Sequence, residues 1–289
     1  MKNRETSREV LETLTVLTKI LEEAGIPSAR LEVEVFLSYL LGKKRAELYI
    51  LKRKLKEKEL LALSDMVKRR LQGEPVAYII GEKEFWSLRF KVTPACLIPR
   101  PETELLVEEV LRLSSSNGSL KILDIGTGCG AIAVALAKEL PSARIWASER
   151  SREALKVAQE NVLLHQVEDR VFLVEADLFP EESGFSFIVS NPPYIPTHDI
   201  FNLPPEVRDY EPLEALDGGP DGLSVIMRIV EGAGRYLKEG GWLLLEVGYG
   251  QAEKVEELFK KAGFKEVSSV RDYSGIKRIV EGRWEGLTR

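Results

Sequence analysis

Cysteine and histidine are scarce in this sequence, with two of each among 289 residues. Cys96 and Cys129 stand far apart in the chain, and His165 and His198 are isolated from both. Neither spacing matches the clustered cysteine and histidine sets that bind zinc. We therefore expect no metal site in this protein.

Long apolar runs are also missing. Every stretch of about 18 residues contains a charged side chain, so no segment has the pattern of a membrane-spanning helix. The first ten residues, MKNRETSREV, lack the apolar core of a signal peptide. We expect a cytoplasmic protein that does not associate with membranes.

Charge is distributed unevenly along the chain. Residues 1–80 carry 16 Lys and Arg against 12 Asp and Glu, whereas residues 81–289 carry 25 against 34. This step from a net charge of +4 to one of −9 predicts two structural units. Basic residues dominate positions 43–58, which fits either a face that binds RNA or an RNA-associated protein, or an ordinary solvated helix surface.

The amino-terminal part has the apolar spacing of helices. The pattern recurs over residues 11–21, 31–40 and 58–71, and glycine or proline follows each occurrence. Residues 1–75 are therefore predicted to form a small all-α bundle. Residues 76–98 are rich in aromatic and β-branched side chains, which predicts a β-hairpin connector.

From residue 99 onward, strand patterns alternate with helix patterns. A helix is predicted from Pro101 to about Leu113, since proline suits the first helical position. The predicted strands cover residues 121–123, 144–147, 171–174, 185–189, 242–247, 266–271 and 277–281. Residues 99–289 are thus predicted to form an α/β domain with a doubly wound, Rossmann-like sheet. It is mostly parallel, and its last two strands form an antiparallel hairpin at one edge.

A glycine-rich loop, DIGTGCG (residues 124–130), joins the first of these strands to a helix. Because Gly126 and Gly128 lack a Cβ atom, the backbone can turn sharply and a ligand can approach it closely. The pattern alone fits a dinucleotide as well as S-adenosylmethionine, since Gly126, Gly128 and Ala131 satisfy the dinucleotide fingerprint.

Acidic residues lie at the ends of three successive strands. Glu149 can accept ribose hydroxyls of either ligand, and Asp177 can accept the amino group of an adenine. Asp124 favours S-adenosylmethionine, because an anion beside the loop repels a pyrophosphate but attracts a sulfonium or ammonium group. The alternative is that each acid merely caps a helix or faces water.

The fourth strand runs into SNPPYIP (residues 190–196), whose three prolines exclude both a helix and a ladder strand. The Asn191 amide oxygen and the Pro192 carbonyl can together accept both hydrogens of a planar NH2 group, and Tyr194 can lie against the flat group that carries it. Such a clamp directs the nitrogen lone pair at an electrophilic methyl group. A purely structural proline turn is the alternative.

Four motifs, in this order, resemble those of the HemK/PrmC family, the glutamine-N5 methyltransferases of peptide chain release factors. They are LIPRPETE (97–104), DIGTGCG (124–130), SNPPYI (190–195) and EPLEALDGGPDGL (211–223). The helical front end and the hairpin also match that family. The resemblance implies transfer of a methyl group from S-adenosylmethionine to the side-chain amide of the glutamine in the release factors' Gly-Gly-Gln motif. S-adenosylhomocysteine is the other product.

The resemblance also implies roles for individual residues. Cofactor binding is expected from Asp124, Gly126, Thr127, Gly128, Cys129, Gly130, Glu149, Asp177, Leu178 and Asn191. Substrate binding is expected from Arg100, Asn191, Pro192, Pro193 and Tyr194, among which Asn191, Pro192 and Tyr194 are the expected catalytic residues. Glu149 and Leu178 stand where many relatives have aspartate and tryptophan, so the geometry around ribose and adenine is expected to differ. The helical bundle is expected to recognise the substrate protein, and we expect a monomer with no stable nucleic-acid partner.

Other functions also fit parts of the sequence. An adenine-N6 DNA methyltransferase fits the NPPY motif, but a net charge of −9 over residues 81–289 opposes DNA binding. A glutamine methyltransferase acting on a ribosomal protein shares NPPY, although PRPETE favours release factors. A nicotinamide-dependent oxidoreductase fits the glycine loop but gives NPPY no role, and a non-catalytic module would bind S-adenosylmethionine without turnover.

Overall fold

The computed structural model describes residues 9–114 and 120–286, which divide after Gly81 into two units. Residues 1–8 of the predicted bundle, and residues 115–119 and 287–289 of the predicted α/β domain, lie outside the described residues. Within the described ranges, no helix is long and apolar enough to cross a membrane. The same ranges contain no group of three or more His, Cys, Asp or Glu side chains that could hold a metal ion.

The amino-terminal unit is helical, as the apolar spacing predicts. Its helices are α1 (Val10–Glu23), α2 (Ala29–Leu41), α3 (Arg45–Leu48), α4 (Glu57–Leu71) and α5 (Val76–Ile80). Residues such as Leu14, Phe36 and Leu63 form one apolar core. Gly42 ends α2 with a φ of 60°, a left-handed conformation that glycine adopts without a Cβ clash.

Residues 76–80 form α5, so the prediction of strand character at the start of the connector is wrong. Tyr78 and Ile79 have side chains that favour strands, but both are buried and Ile79 belongs to the core of the helical unit. The Pro75 carbonyl accepts hydrogen bonds from the amides of Tyr78 and Ile79, which begins the helix. Burial here outweighs the weak strand preference of the side chains.

The hairpin predicted in the connector is present but shorter, and it belongs to the second unit. It consists of antiparallel strands β1 (Glu82–Phe85) and β2 (Leu88–Lys91). Trp86 and Ser87 form its two-residue turn with φ values of 51° and 56°. Positive φ at both central residues matches the twist of a tight hairpin.

The second unit contains a seven-stranded sheet flanked by helices, which confirms the predicted α/β fold. Its strands are β3 (Lys121–Ile125), β4 (Arg144–Glu149), β5 (Val171–Glu175), β6 (Phe185–Ser190), β7 (Leu237–Glu246), β8 (Lys265–Arg271) and β9 (Lys277–Arg283). Its α-helices are α6 (Glu104–Leu113), α7 (Ala131–Glu139), α8 (Arg152–Leu164), α9 (Pro205–Arg208), α10 (Ser224–Ala233) and α11 (Ala252–Lys261). Short 3-10 helices cover Pro101–Thr103, Thr197–Asn202 and Leu213–Ala215.

The strand order of this sheet is β5-β4-β3-β6-β7-β9-β8. The first five strands in this order are parallel, and β9 is antiparallel to both β7 and β8, so the predicted edge hairpin is confirmed. The chain moves outward from β3 to β5 and then returns beside β3 as β6. The carboxyl ends of β3 and β6 therefore form the switch point where ligands bind in doubly wound sheets.

Candidate active site

A cavity of about 650 Å³ lies within the second unit at this switch point. This volume is within the usual range for small-molecule sites. The predicted site residues that line it are Gly126, Thr127, Gly128, Cys129, Glu149, Asp177, Leu178, Asn191, Pro192 and Pro193. The predicted site residues outside its wall are Arg100, Asp124, Gly130 and Tyr194. The cavity thus brings the glycine loop and the NPPY turn together.

The glycines of the loop have two roles: two of them leave space for a ligand, and the third allows close packing of a helix. Gly126 and Gly128 have φ values of 69° and 56°, and a Cβ added to either would meet nothing within 4 Å. A ligand can therefore approach the backbone at both positions. Gly130 has a φ of 85° and faces Ala158 of α8, whose Cβ would lie 3.4 Å from an added Cβ. It serves the close packing of the following helix rather than the cavity wall.

Asp124 lies behind the loop and is fully buried. The Thr127 hydroxyl donates a 2.6 Å hydrogen bond to its carboxylate, which ties the strand end to the loop. Burial raises the pKa of Asp124 to about 7, although the Thr127 hydrogen bond acts in the opposite direction. The residue therefore supports the loop from beneath, and a cation bound in the cavity would favour its ionised form.

Glu149 ends β4 with its carboxylate held by two backbone amides. The amide of Gly128 donates to one oxygen at 3.1 Å, and the amide of Ser151 donates to the other at 2.9 Å. Each carboxylate oxygen has a second lone pair, so these bonds orient the group and leave acceptor capacity for hydroxyl donors in the cavity. The longer glutamate side chain thus reaches back to the glycine loop.

Leu178 adopts a left-handed backbone conformation with a φ of 75°. Such a conformation costs about 1 kcal/mol for a residue with a side chain. The Ser148 hydroxyl donates a 2.6 Å hydrogen bond to the Leu178 carbonyl, which helps to hold this geometry. Leu178 and Glu149 both line the cavity.

Asp177 lines the cavity and forms an ion pair with an arginine. Arg228 of α10 donates a 2.7 Å hydrogen bond to its carboxylate. Arg228 lines the cavity together with Val225 and Ile229. The helical spacing of these three residues is the sequence signal that α10 turns one face to the site, and none of the three was among the predicted site residues.

The side chains of the NPPY turn join a buried polar network. The Asn191 amide nitrogen donates to the Thr103 hydroxyl oxygen at 3.0 Å. Thr103 in turn donates to one oxygen of Glu246 at 2.6 Å, and the Tyr194 hydroxyl donates to the other at 3.2 Å. Tyr194 otherwise packs against the core of the sheet. Its side chain therefore anchors the turn from outside the cavity wall.

Glu246 was not among the predicted site residues. It lies at the end of β7, is 1% exposed, and has its pKa raised to about 7 by burial. Thr103, just before α6, was not among the predicted site residues either. The signal in the sequence was a single acid at the end of the apolar run WLLLEV, because an unpaired carboxylate is rarely buried.

The backbone of the turn is held by two further segments. Gln251 donates to the Tyr194 carbonyl at 2.9 Å, while Ile195 exchanges backbone hydrogen bonds with Leu216 and Gly218. Every peptide bond in the described residues is trans. The segment EPLEALDGGPDGL thus lies directly against the NPPY turn.

Arg100 and His198 do not line the cavity. Arg100 pairs at 2.5 Å with the buried carboxylate of Glu211, which also accepts a hydrogen bond from the Ile98 amide at 3.3 Å. Arg100 therefore fastens PRPETE to the segment that begins at Glu211. His198 is exposed beside Asp199, at 3.6 Å.

The arrangement combines two kinds of recognition in one cavity. The open glycine loop and the Glu149 carboxylate suit a ligand that carries ribose hydroxyls and a cationic group. Asn191, Pro192 and Pro193 form another part of the same wall and present amide and carbonyl groups. A small planar NH2 group can be held there next to the first ligand.

Two family models and several known proteins match this chain over most of its length. The family described as "PrmC N-terminal domain" matches residues 12–81, and the "Methyltransferase small domain" family matches residues 101–202. The release factor glutamine methyltransferase of Geobacter sulfurreducens is 48% identical over 91% of this chain and 92% of its own length. The protein of the same name from Coxiella burnetii is 42% identical over 97% of this chain and 98% of its own length.

A solved structure supports the fold alone. A methyltransferase from Pyrococcus furiosus superposes with a TM-score of 0.53 at 20% sequence identity. The match covers 78% of this chain and all of the other.

Proposed function

The chain belongs to the release factor glutamine methyltransferase family, and from this premise we propose how its cavity carries out the reaction. The protein is a methyltransferase that modifies a glutamine side chain of peptide chain release factors. We propose that the methyl donor is S-adenosylmethionine and that the acceptor is the N5 nitrogen of the glutamine in the Gly-Gly-Gln motif. The observation that carries this proposal is the shared cavity, which Gly126, Glu149 and Asn191 all line.

S-adenosylmethionine fits the residues at the glycine-loop end of the cavity. Gly126 and Gly128 leave the space of a side chain open, and the Glu149 carboxylate can accept two ribose hydroxyls. Leu178 and Asp177 would border the adenine. When bound, the cofactor supplies an electrophilic methyl group on a positively charged sulfur atom.

The NPPY turn handles the acceptor amide. We propose that the Asn191 side-chain oxygen and the Pro192 carbonyl accept the two N–H bonds of the glutamine side chain. These bonds raise the electron density on nitrogen and favour a pyramidal geometry, so that the lone pair is directed at the methyl group. The positive charge on sulfur disappears as the methyl group moves to nitrogen, and the apolar residues around the cavity favour this step by limiting access of water. The nitrogen then releases one of its two protons to solvent, and S-adenosylhomocysteine leaves as the second product.

Domain roles follow the same proposal. We propose that the amino-terminal helical unit recognises the release factor, which is supported by exposed basic residues between positions 43 and 58. Because the substrate acts in translation, we infer a cytoplasmic location. The protein is proposed to act as a monomer without a stable nucleic-acid partner.

The proposed function is tested by presenting labelled S-adenosylmethionine with one acceptor at a time. The acceptors are a release factor, the same factor with its Gly-Gly-Gln glutamine changed to alanine, a ribosomal protein and single-stranded DNA. We expect label only on the unmodified release factor, and peptide mass spectrometry should place it on that glutamine. Label on DNA alone, or equal label on the alanine variant, would contradict the assignment.

A further inference from the structure

We propose that Thr103 and Glu246 are positioning residues that decide which end of the Asn191 side-chain amide faces the acceptor nitrogen. The inference rests on the proposed function, because it concerns how Asn191 holds the glutamine. Neither residue needs to touch the reacting atoms to act in this way. They act through a hydrogen-bond relay that runs from Glu246 to Thr103 and from Thr103 to Asn191.

The direction of the relay follows from its buried carboxylate. When Glu246 is ionised, its carboxylate can only accept hydrogen bonds, so the Thr103 and Tyr194 hydroxyls both donate to it. The Thr103 hydroxyl group has a single hydrogen, which it donates to Glu246. Its oxygen can therefore only accept from Asn191, and the amide must turn its nitrogen toward Thr103.

This assignment leaves the Asn191 side-chain oxygen on the opposite side of the amide. An oxygen there accepts a hydrogen of the acceptor NH2 group, whereas a nitrogen there would place two donors against each other. An Asn191 amide in the flipped orientation would thus fill the same space but could not accept a hydrogen bond from the acceptor NH2 group. Asparagine alone cannot select between its two orientations, because they have nearly the same shape.

The relay joins three separate segments, and two of its three members are buried. Thr103 is 4% exposed and Glu246 is 1% exposed, and they lie just before α6 and at the end of β7. Asn191 follows β6 directly. Because these positions are fixed by the packing of the sheet, the orientation of the amide is set before the substrate binds.

The first test compares Thr103→Val with Thr103→Ser. Valine has the shape of threonine but can neither donate nor accept, whereas serine keeps the hydroxyl. We expect Thr103→Val to lower kcat for release factor methylation on the order of 10²-fold, with little change in KM for the release factor or in Kd for S-adenosylmethionine. Thr103→Ser should recover most of the lost kcat. Equal losses in the two variants would indicate a packing role and overturn the inference, and so would wild-type kcat in Thr103→Val.

A second pair keeps the inference testable if Thr103→Val fails to fold. Glu246→Gln retains the volume of the side chain but offers one acceptor oxygen, so it cannot accept from both hydroxyls. Glu281→Gln is the matched control, since Glu281 is a buried carboxylate on the neighbouring strand β9 that pairs with Arg112 at 2.9 Å. We expect a loss of kcat in Glu246→Gln but not in Glu281→Gln. Equal kcat in the two variants would overturn the inference.

The double variant Thr103→Val with Glu246→Gln tests whether the two residues act on one path. If both act through the orientation of Asn191, the double variant should lose no more kcat than the worse single variant. Losses that multiply would show independent roles and would overturn the relay. Failure of the proposed function is separate, because it would appear as no methylation of the release factor by the wild-type protein.

Discussion

Gly222 lies so close to the Tyr194 carbonyl oxygen that a Cβ atom added to Gly222 would be 2.2 Å from it. The glycine therefore lets the segment EPLEALDGGPDGL press against the NPPY turn. Gly222 also has a φ of 75°, a conformation that disfavours any side chain. The shape of the NPPY turn therefore depends on Gly222, although this residue has no side chain that could take part in binding or catalysis.

We predict that Gly222→Ala lowers kcat because the added methyl group must displace Tyr194 and hence the turn. A shift of about 1 Å can reduce a rate on the order of 10²-fold. Steady-state methylation of a release factor measures the effect. Gly275→Ala is the matched control, since Gly275 has a φ of 82° and open space around its Cβ position. Both variants should lose about 1 kcal/mol of stability from the strained φ, and a similar kcat loss in both would contradict the role of the contact.

Asn191→Ala should strongly reduce methyl transfer while leaving the binding of S-adenosylmethionine largely intact. The substitution removes the acceptor oxygen but leaves the glycine loop and Glu149 unchanged. We expect kcat to fall by a factor of 10² or more, on the order of the loss from removing one preorganised hydrogen-bonding group. Equilibrium dialysis and single-turnover kinetics separate the two effects. Loss of both binding and transfer would indicate that Asn191 mainly stabilises the cavity.

Glu149→Gln should weaken the binding of S-adenosylmethionine. The amide of glutamine replaces an acceptor oxygen with a donor, so it loses one contact to a backbone amide or a ribose hydroxyl. A hydrogen bond to a charged group contributes about 1.5–3 kcal/mol, which corresponds to a rise in Kd of roughly 10-fold or more. Glu175→Gln is the control, because Glu175 ends the neighbouring strand β5 in an exposed ion pair with Arg152. Equal Kd values for Glu149→Gln and the wild type would contradict a role for Glu149 in cofactor binding.

The sequence predicted those parts of the protein that depend on local pattern. Buried apolar runs mark the strands, and the glycines of residues 124–130 mark a loop after the first strand of the sheet. NPPY is equally local, since its prolines restrict the backbone wherever they occur. The family resemblance and the fold both follow from features of this kind.

The remaining parts of the site depend on contacts between distant residues. Glu246 meets Thr103 and Tyr194 only because β7 lies beside β6 and α6 begins nearby, and no local pattern records that pairing. The left-handed φ of Leu178 is similar, since it is held by a hydrogen bond from Ser148 on another strand. In helix α5 the local pattern is present but misleading, because burial of the side chains outweighs their preference for strands.

Reversing charge on the helical unit should weaken recognition of the release factor. Lys52, Lys54 and Lys56 are exposed, and changing all three to Glu replaces a basic surface with an acidic one. We expect KM for the whole release factor to rise by about 10-fold at low salt and the effect to shrink as salt increases. A short Gly-Gly-Gln peptide should be methylated at the wild-type rate. The same change at exposed Lys254, Lys261 and Lys265 of the second unit is the control, and an equal rise in KM there would contradict the prediction.

The pH dependence of kcat should report the ionisation of Glu246. Burial raises its pKa to about 7, while hydrogen bonds from Thr103 and Tyr194 and the charge of Arg278 lower it and the charge of Glu102 raises it. The folded state therefore holds the proton of the Glu246 carboxyl more tightly than the unfolded state, so the contribution of Glu246 to stability falls as pH rises from about 4.5 to about 7.

Activity should change in the opposite direction, because only the ionised carboxylate of Glu246 accepts from both hydroxyls. At saturating S-adenosylmethionine we expect kcat to decline as pH falls below about 7. Asp124→Asn removes the other buried carboxylate with a pKa of about 7 and should keep this decline, whereas Glu246→Gln should lose it. A decline that persists in Glu246→Gln and disappears in Asp124→Asn would assign the titration to Asp124 instead.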